Sequence, residues 1–239
     1  MRNMIKADLR RILKKPSLYV WLVIMGVFFF LFSGYTDYTA DTLDQEYKCL
    51  MLAAPIIISI PVFLSVYGDE MKCGAMQCII GRGTSRTKVL LGKYLECLIL
   101  SLFYFAFLEL TMFGRNRLWE VGTSRSQDLT LAFFIVMIYV RTAGYFAFAS
   151  FFVFLSWSTA PGVVALLTLT SFADAVLKMV QMLANINVYD YSFGGLLDAA
   201  YADLQVGGPG LTLIPAVVIF IGGALLAAAL IFGKKEIEF

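Results

Sequence analysis

The 239-residue chain contains no histidine. That absence removes the commonest general base, the commonest transition-metal ligand and the Ser-His and Cys-His nucleophile pairs. Cysteine is scarce: Cys49, Cys73, Cys78 and Cys97 are the full set, and no two have the CxxC spacing of a redox or zinc motif. They read as packing residues. Charge is scarce too, at 15% Asp, Glu, Lys and Arg, where a soluble domain carries about 25%. No GxxxxGK[ST] phosphate loop occurs either. The nearest run, GRGTSRTK at 81–88, has the wrong spacing and follows no strand. These gaps exclude nucleotide hydrolysis by the chain itself and leave no constellation for an intramembrane enzyme.

What is abundant is apolar surface. Hydrophobic residues make up 60% of the chain and the mean hydropathy is +0.79. One core could not hide so much, so lipid is the fitting solvent. A hydrocarbon layer about 30 Å thick needs about 20 apolar residues per helix. Six stretches qualify, at 17–35, 50–67, 94–113, 129–157, 162–183 and 211–232. The first follows basic residues as a signal peptide would. Its end, LFSGYTDYT, lacks an A-x-A-like cleavage site, and five spans follow, so it is expected to stay as a signal anchor.

Lys and Arg set the orientation. The first 16 residues carry Arg2, Lys6, Arg10, Arg11, Lys14 and Lys15, whereas the next loop carries Asp37, Asp41, Asp44 and Glu46 against Lys48. The segment 68–93 is basic, the segment 184–210 has three aspartates and no Lys or Arg, and the tail has Lys234 and Lys235. Arg115, Arg117 and Arg125 disagree, since the scheme places them outside. The sequence predicts an all-α membrane protein with one transmembrane domain. Six transmembrane helices follow an N-terminal amphipathic elbow helix, and both termini are cytoplasmic. Within 129–157, the run Arg141-Thr142-Ala143-Gly144 is a candidate break or bend.

Three sets of residues stand out. Before Pro16, Ile5, Leu9, Ile12 and Leu13 share one helix face while Lys6, Arg10 and Lys14 recur on the other. Such a helix is expected in the headgroup layer, its basic face toward anionic lipid. Glu109, Arg141, Asp174 and Lys178 lie within spans, where charge is costly and needs a partner. Asp174 and Lys178 are spaced i,i+4 and can pair, with Arg141 a second partner for Asp174. These four read either as a substrate path or as structural pairs. The third set lies in the basic, glycine-punctuated segment 68–93, which fits an ordinary topogenic loop or a docking surface for a soluble partner. The segment 184–210 holds Tyr189, Tyr191 and an amphipathic piece, and fits two short helices outside.

The start IKADLRRILKKPSLY, Asp69-Glu70 after the second span and GRGTSRTKVLLGK before the third complete a pattern. In this architecture the chain resembles the permease subunit of an ABC exporter of the second export type. In that family an acidic residue, a glycine and an SR-x-K-like cluster follow the second span, and Glu70, Gly81, Ser85, Arg86 and Lys88, with Lys93 beyond, take those places. The resemblance implies that Glu70, Gly74, Gly81, Arg82, Gly83, Ser85, Arg86, Lys88 and Lys93 form a coupling surface for a separate ATP-binding subunit. ATP and Mg would bind there, with no cofactor in this chain. It also implies a second permease chain, identical or a sister, in the plasma membrane. Small members are similar to permeases that export, or give immunity to, amphipathic peptides such as lantibiotics and phenol-soluble modulins. The alternative is a secondary transporter or channel working through Arg141, Asp174 and Lys178. No inverted repeat or matching pair of broken spans is evident for it. No nucleic-acid partner is expected, because the basic residues track one membrane face.

Overall fold

In hydrocarbon no water satisfies backbone N–H and C=O groups, so each segment must bond within itself, and helices are the simplest solution. The computed structural model describes residues 2–32, 40–72, 75–118, 125–205, 208 and 210–234. Those residues are almost wholly helical and include no strand. Four helical stretches are long and apolar enough to cross a bilayer: Lys48–Met71, Arg86–Leu118, Leu129–Ser156 and Leu213–Lys234. Two more pairs qualify only together, Met4–Leu13 with Pro16–Leu31 bent by 65° and Thr159–Ser171 with Ala173–Ala184 bent by 52°. The protein is membrane-embedded, with 4 to 6 spanning helices according to how each bent pair counts.

Helix α1 (Arg2–Leu13) is amphipathic as its periodicity requires: Ile12 is buried, Ile5 and Leu9 are half-buried, and Lys6, Arg10 and Lys14 are exposed. Leu13, expected on the same apolar face, is exposed. Pro16 opens α2 (Pro16–Phe32), where a missing N–H costs no helical bond. The expected end of that span at 33–35 lies outside the described residues, as do Asp37, Cys73, Gly74 and Lys235.

Helix α3 (Ala40–Phe63) starts ten residues before the expected span. It runs through a π-helical turn, Leu64–Gly68, into α4 (Asp69–Lys72). A second π-helical segment, Ala216–Gly222, joins α11 (Leu213–Pro215) to α12 (Gly223–Lys234). Each lies just downstream of a proline, Pro61 or Pro215. Proline removes one i→i−4 bond and crowds the preceding turn, which favours a wider one. Within the first, the Ser65 hydroxyl donates back one turn to the Pro61 carbonyl at 2.7 Å.

Between α4 and the next long helix lies α5 (Ala75–Gly81). Helix α6 (Arg86–Leu118) spans 33 residues, about 50 Å at 1.5 Å per residue, so it outruns the hydrocarbon at both ends. Helix α7 (Arg125–Ser156) is continuous through Arg141–Gly144, with no break there. The break falls instead in the fifth expected span. Helix α8 (Thr159–Ser171) ends at Phe172 and α9 (Ala173–Ala184) leaves it at 52°. The α7–α8 hairpin is tight: Trp157 takes the left-handed conformation at φ 57°, and the Ser158 hydroxyl accepts the Ala160 N–H. Asn185, with φ 52°, closes α9 as a left-handed cap. A 3-10 turn (Tyr189–Tyr191) and α10 (Phe193–Gln205) follow, within the segment 184–210 where two short helices are expected.

Helix α7 is the hub. Its apolar window is 67% buried, against 17% for Leu213–Lys234. It packs on α3, α6, α8, α10 and α12. Phe63, Tyr67, Phe146, Phe154 and Phe232 interlock between these helices, and Tyr67 and Ser150 share a buried hydroxyl–hydroxyl bond of 2.8 Å. Around the rim, Val23, Val27, Leu31, Leu226 and Leu230 are each more than half exposed. A soluble monomer rarely shows so continuous an apolar belt. Lipid covers it.

Candidate functional site

Polar residues concentrate at two levels. At the α5 end, the Lys93 side chain on α6 is fully enclosed. Its ammonium donates to Asp8 Oδ2 at 2.7 Å, Glu70 Oε1 at 2.6 Å and Glu96 Oε2 at 2.9 Å. Arg11 donates to the same Glu70 oxygen at 2.5 Å, and Lys15 pairs with Asp69. The carboxylates of Asp8, Glu70 and Glu96 lie within 4.8 Å of one another, a spacing that could hold a metal ion. Here the Lys93 ammonium bonds to all three, and Arg11 adds a second positive charge at Glu70. Burying such a group without partners would cost several kcal/mol. The cluster therefore clamps α1 to α4 and α6.

This placement changes the expected coupling surface. Glu70 and Lys93 are buried and internally paired, so neither can face a soluble subunit. Their place is under the surface, holding it. The exposed set is Gly81, Arg82, Gly83, Ser85 and Lys88. Gly83 has φ +89°, a conformation that side chains resist, and its N–H bonds Ile80 O at 2.9 Å to close the turn. Arg86 is half-buried and faces inward. It donates to Phe232 O at 2.8 Å and Gly233 O at 3.2 Å, capping α12 with positive charge where the helix dipole favours it.

The second level lies midway along α7. Arg141 is 5% exposed and donates to Asp174 Oδ2 on α9 at 2.8 Å, Asp198 Oδ1 on α10 at 2.5 Å and the Gly194 carbonyl at 3.2 Å. The structure thus brings Arg141 and Asp174 together, as their depth suggested. The Asp174–Lys178 pair does not form as an ion pair. Lys178 instead lies 4.4 Å from the centre of the Tyr189 ring, a cation–π contact. Tyr189 donates to Asp198. Burial, then the Asp198 carboxylate, pushes the Tyr189 phenol above its ordinary pKa and keeps it a donor. A cavity of about 280 Å³ opens beside this centre, bounded by α3, α7, α8 and α9. Glu109 is elsewhere, exposed on α6 in a separate cavity with Phe113 and Leu131.

Sequence reasoning missed Asp8, Arg11, Glu96 and Asp198 as site members. Glu96 was readable, lying three residues beyond Lys93 on one helix face. Asp198 sits 57 residues from Arg141 in a segment with no local mark of its partner. The dissenting Arg115 also finds its reason. It is buried and donates to Glu46 at 2.8 Å and to Asn116, so its charge is largely spent within the fold. No family model, curated protein or solved structure matches this chain.

Proposed function

We propose that this chain is the transmembrane permease subunit of an ATP-driven ABC exporter in the plasma membrane. It moves a hydrophobic or amphipathic substrate, of the amphipathic-peptide class, by alternating access. The observation that carries the reading is the exposed turn 81–88 and its bracing. Glycine shapes the turn, Arg82 and Lys88 charge it, and Arg86 bonds it to the end of α12. Below it, Lys93 and Glu70 lock α1, α4 and α6 together. A push on this turn reaches α6 directly, α12 through Arg86, and α1 and α4 through the Lys93 cluster.

In this reading ATP and Mg bind a separate subunit, whose closure moves the turn and rearranges the bundle between two states. A second permease chain completes the path. On the same reading α1 is the elbow in the headgroup layer, α2 and the bent α8–α9 pair each cross once, six spans result and both termini are cytoplasmic. The test is co-purification from the native membrane. Replacing Arg82 and Lys88 with Glu should reduce recovery of the ATP-binding subunit roughly tenfold or more, with insertion and melting temperature unchanged. Undiminished ATPase recovery and full transport would sink the reading.

The buried Arg141 centre favours one second reading, a secondary transporter using those charges as its relay. Transport by the lone chain in ATP-free vesicles decides for it.

A further inference from the structure

The cavity beside Arg141 has two unlike walls. One, on α7 and α9, is charged, with Arg141, Asp174 and Lys178, and the other, on α3, is largely apolar, with Met51, Leu52 and Pro55 following Lys48. Its one lining carboxylate, Asp174, is already engaged by Arg141. Arg141 in turn is committed to Asp174, Asp198 and the Gly194 carbonyl. It therefore builds the wall and leaves little for a ligand to grasp.

Lys178 differs. It makes no ion pair among the described residues, and its ammonium rests on the Tyr189 ring. A cation–π contact positions a charge without neutralising it. Lys48 adds a second ammonium to the lining. We infer that this cavity seats the acidic headgroup of an amphiphile, with Lys178 as the headgroup ligand and the apolar wall taking the start of its chain.

Size and surroundings agree. At about 280 Å³ the space falls just below the roughly 300–1,000 Å³ of pockets that hold a whole ligand. It admits a headgroup and a few methylenes. The remainder would lie along flanking apolar surface, where Leu52 is 59% exposed, Val176 53% and Met179 63%. A cationic head would meet Lys178 and be repelled, with Asp174 already held by Arg141. The inference rests on the cavity of this chain alone and needs no ATP coupling.

The experiment uses the full chain in nanodiscs of neutral phosphatidylcholine, titrated with radiolabelled laurate, dodecyltrimethylammonium and dodecanol. Laurate should bind saturably and roughly tenfold tighter than the other two. Lys178→Gln should weaken laurate about tenfold, the loss of one charge-assisted contact, and leave dodecanol unchanged. Lys178 is exposed, so an unchanged melting temperature should confirm that the variant folds. Equal binding of laurate and dodecyltrimethylammonium overturns the proposal. So does laurate affinity that survives both Lys178→Gln and Lys178→Glu. Nanodiscs containing phosphatidylglycerol separate the two sources of this chemistry: displaced laurate assigns the seat to an anionic phospholipid, and undisturbed laurate to a single-chain acid. Losing the ATPase partner alters none of these titrations, so this inference and the transport reading fail separately.

Discussion

Lys93 shows how one side chain can be read correctly as important and wrongly as to direction. In the sequence it closes a basic run and belongs with Arg82, Arg86 and Lys88. In the fold it turns inward and joins three carboxylates that arrive from α1, α4 and its own helix. Removing the ammonium leaves those carboxylates buried around an empty centre. Lys93→Met should therefore cost about 3–5 kcal/mol, seen as a large drop in thermal stability in detergent. Glu96→Gln should cost less than about 1 kcal/mol, because it keeps an acceptor for Lys93 and replaces an oxygen, Oε1, that has no hydrogen-bond partner. If both variants melt alike, the cluster is not held as described. Arg86 carries the same lesson: its charge was legible, but the carbonyls it serves, 146 and 147 residues on, were not.

At the scale of elements, the contact of α7 with α10 decides whether the Arg141 centre exists. Phe193 lies over Gly144, where a Cβ would overlap its ring. Gly144→Ala should lift α10 away at a cost of about 1–3 kcal/mol. Amide exchange across 193–205 would speed up while α6 stays protected; unchanged protection there would refute the close approach. Much of this layer was legible. The 3.6-residue period of 5–13 marks α1, and apolar length marks the long helices. The two bends were legible to different degrees. Pro16 announces the first. The second, at Phe172, interrupts an apolar run with no proline or glycine within nine residues before it, and tertiary contact places it: the turn lets Asp174 swing toward Arg141. The Arg141–Gly144 run looked like a break because it mixes charge with small residues. It stays helical because both features are used, the charge on α9 and α10 and the missing Cβ under Phe193.

At the scale of the whole molecule, orientation is the quantity that ties the exposed turn to a soluble partner. Cys78 is exposed on α5, whereas Cys97 is buried. A chain retaining Cys78 as its only cysteine should ignore a membrane-impermeant maleimide in intact cells and react in inverted vesicles. The opposite pattern would reverse the assigned topology. Arg86 has a further consequence, in time. The turn at 81–88 leaves the ribosome long before residues 232 and 233, yet those carbonyls are what Arg86 holds. Its surface is finished only when α12 has been made and inserted. A chain cut before α12 thus presents this turn without the two carbonyls that Arg86 holds.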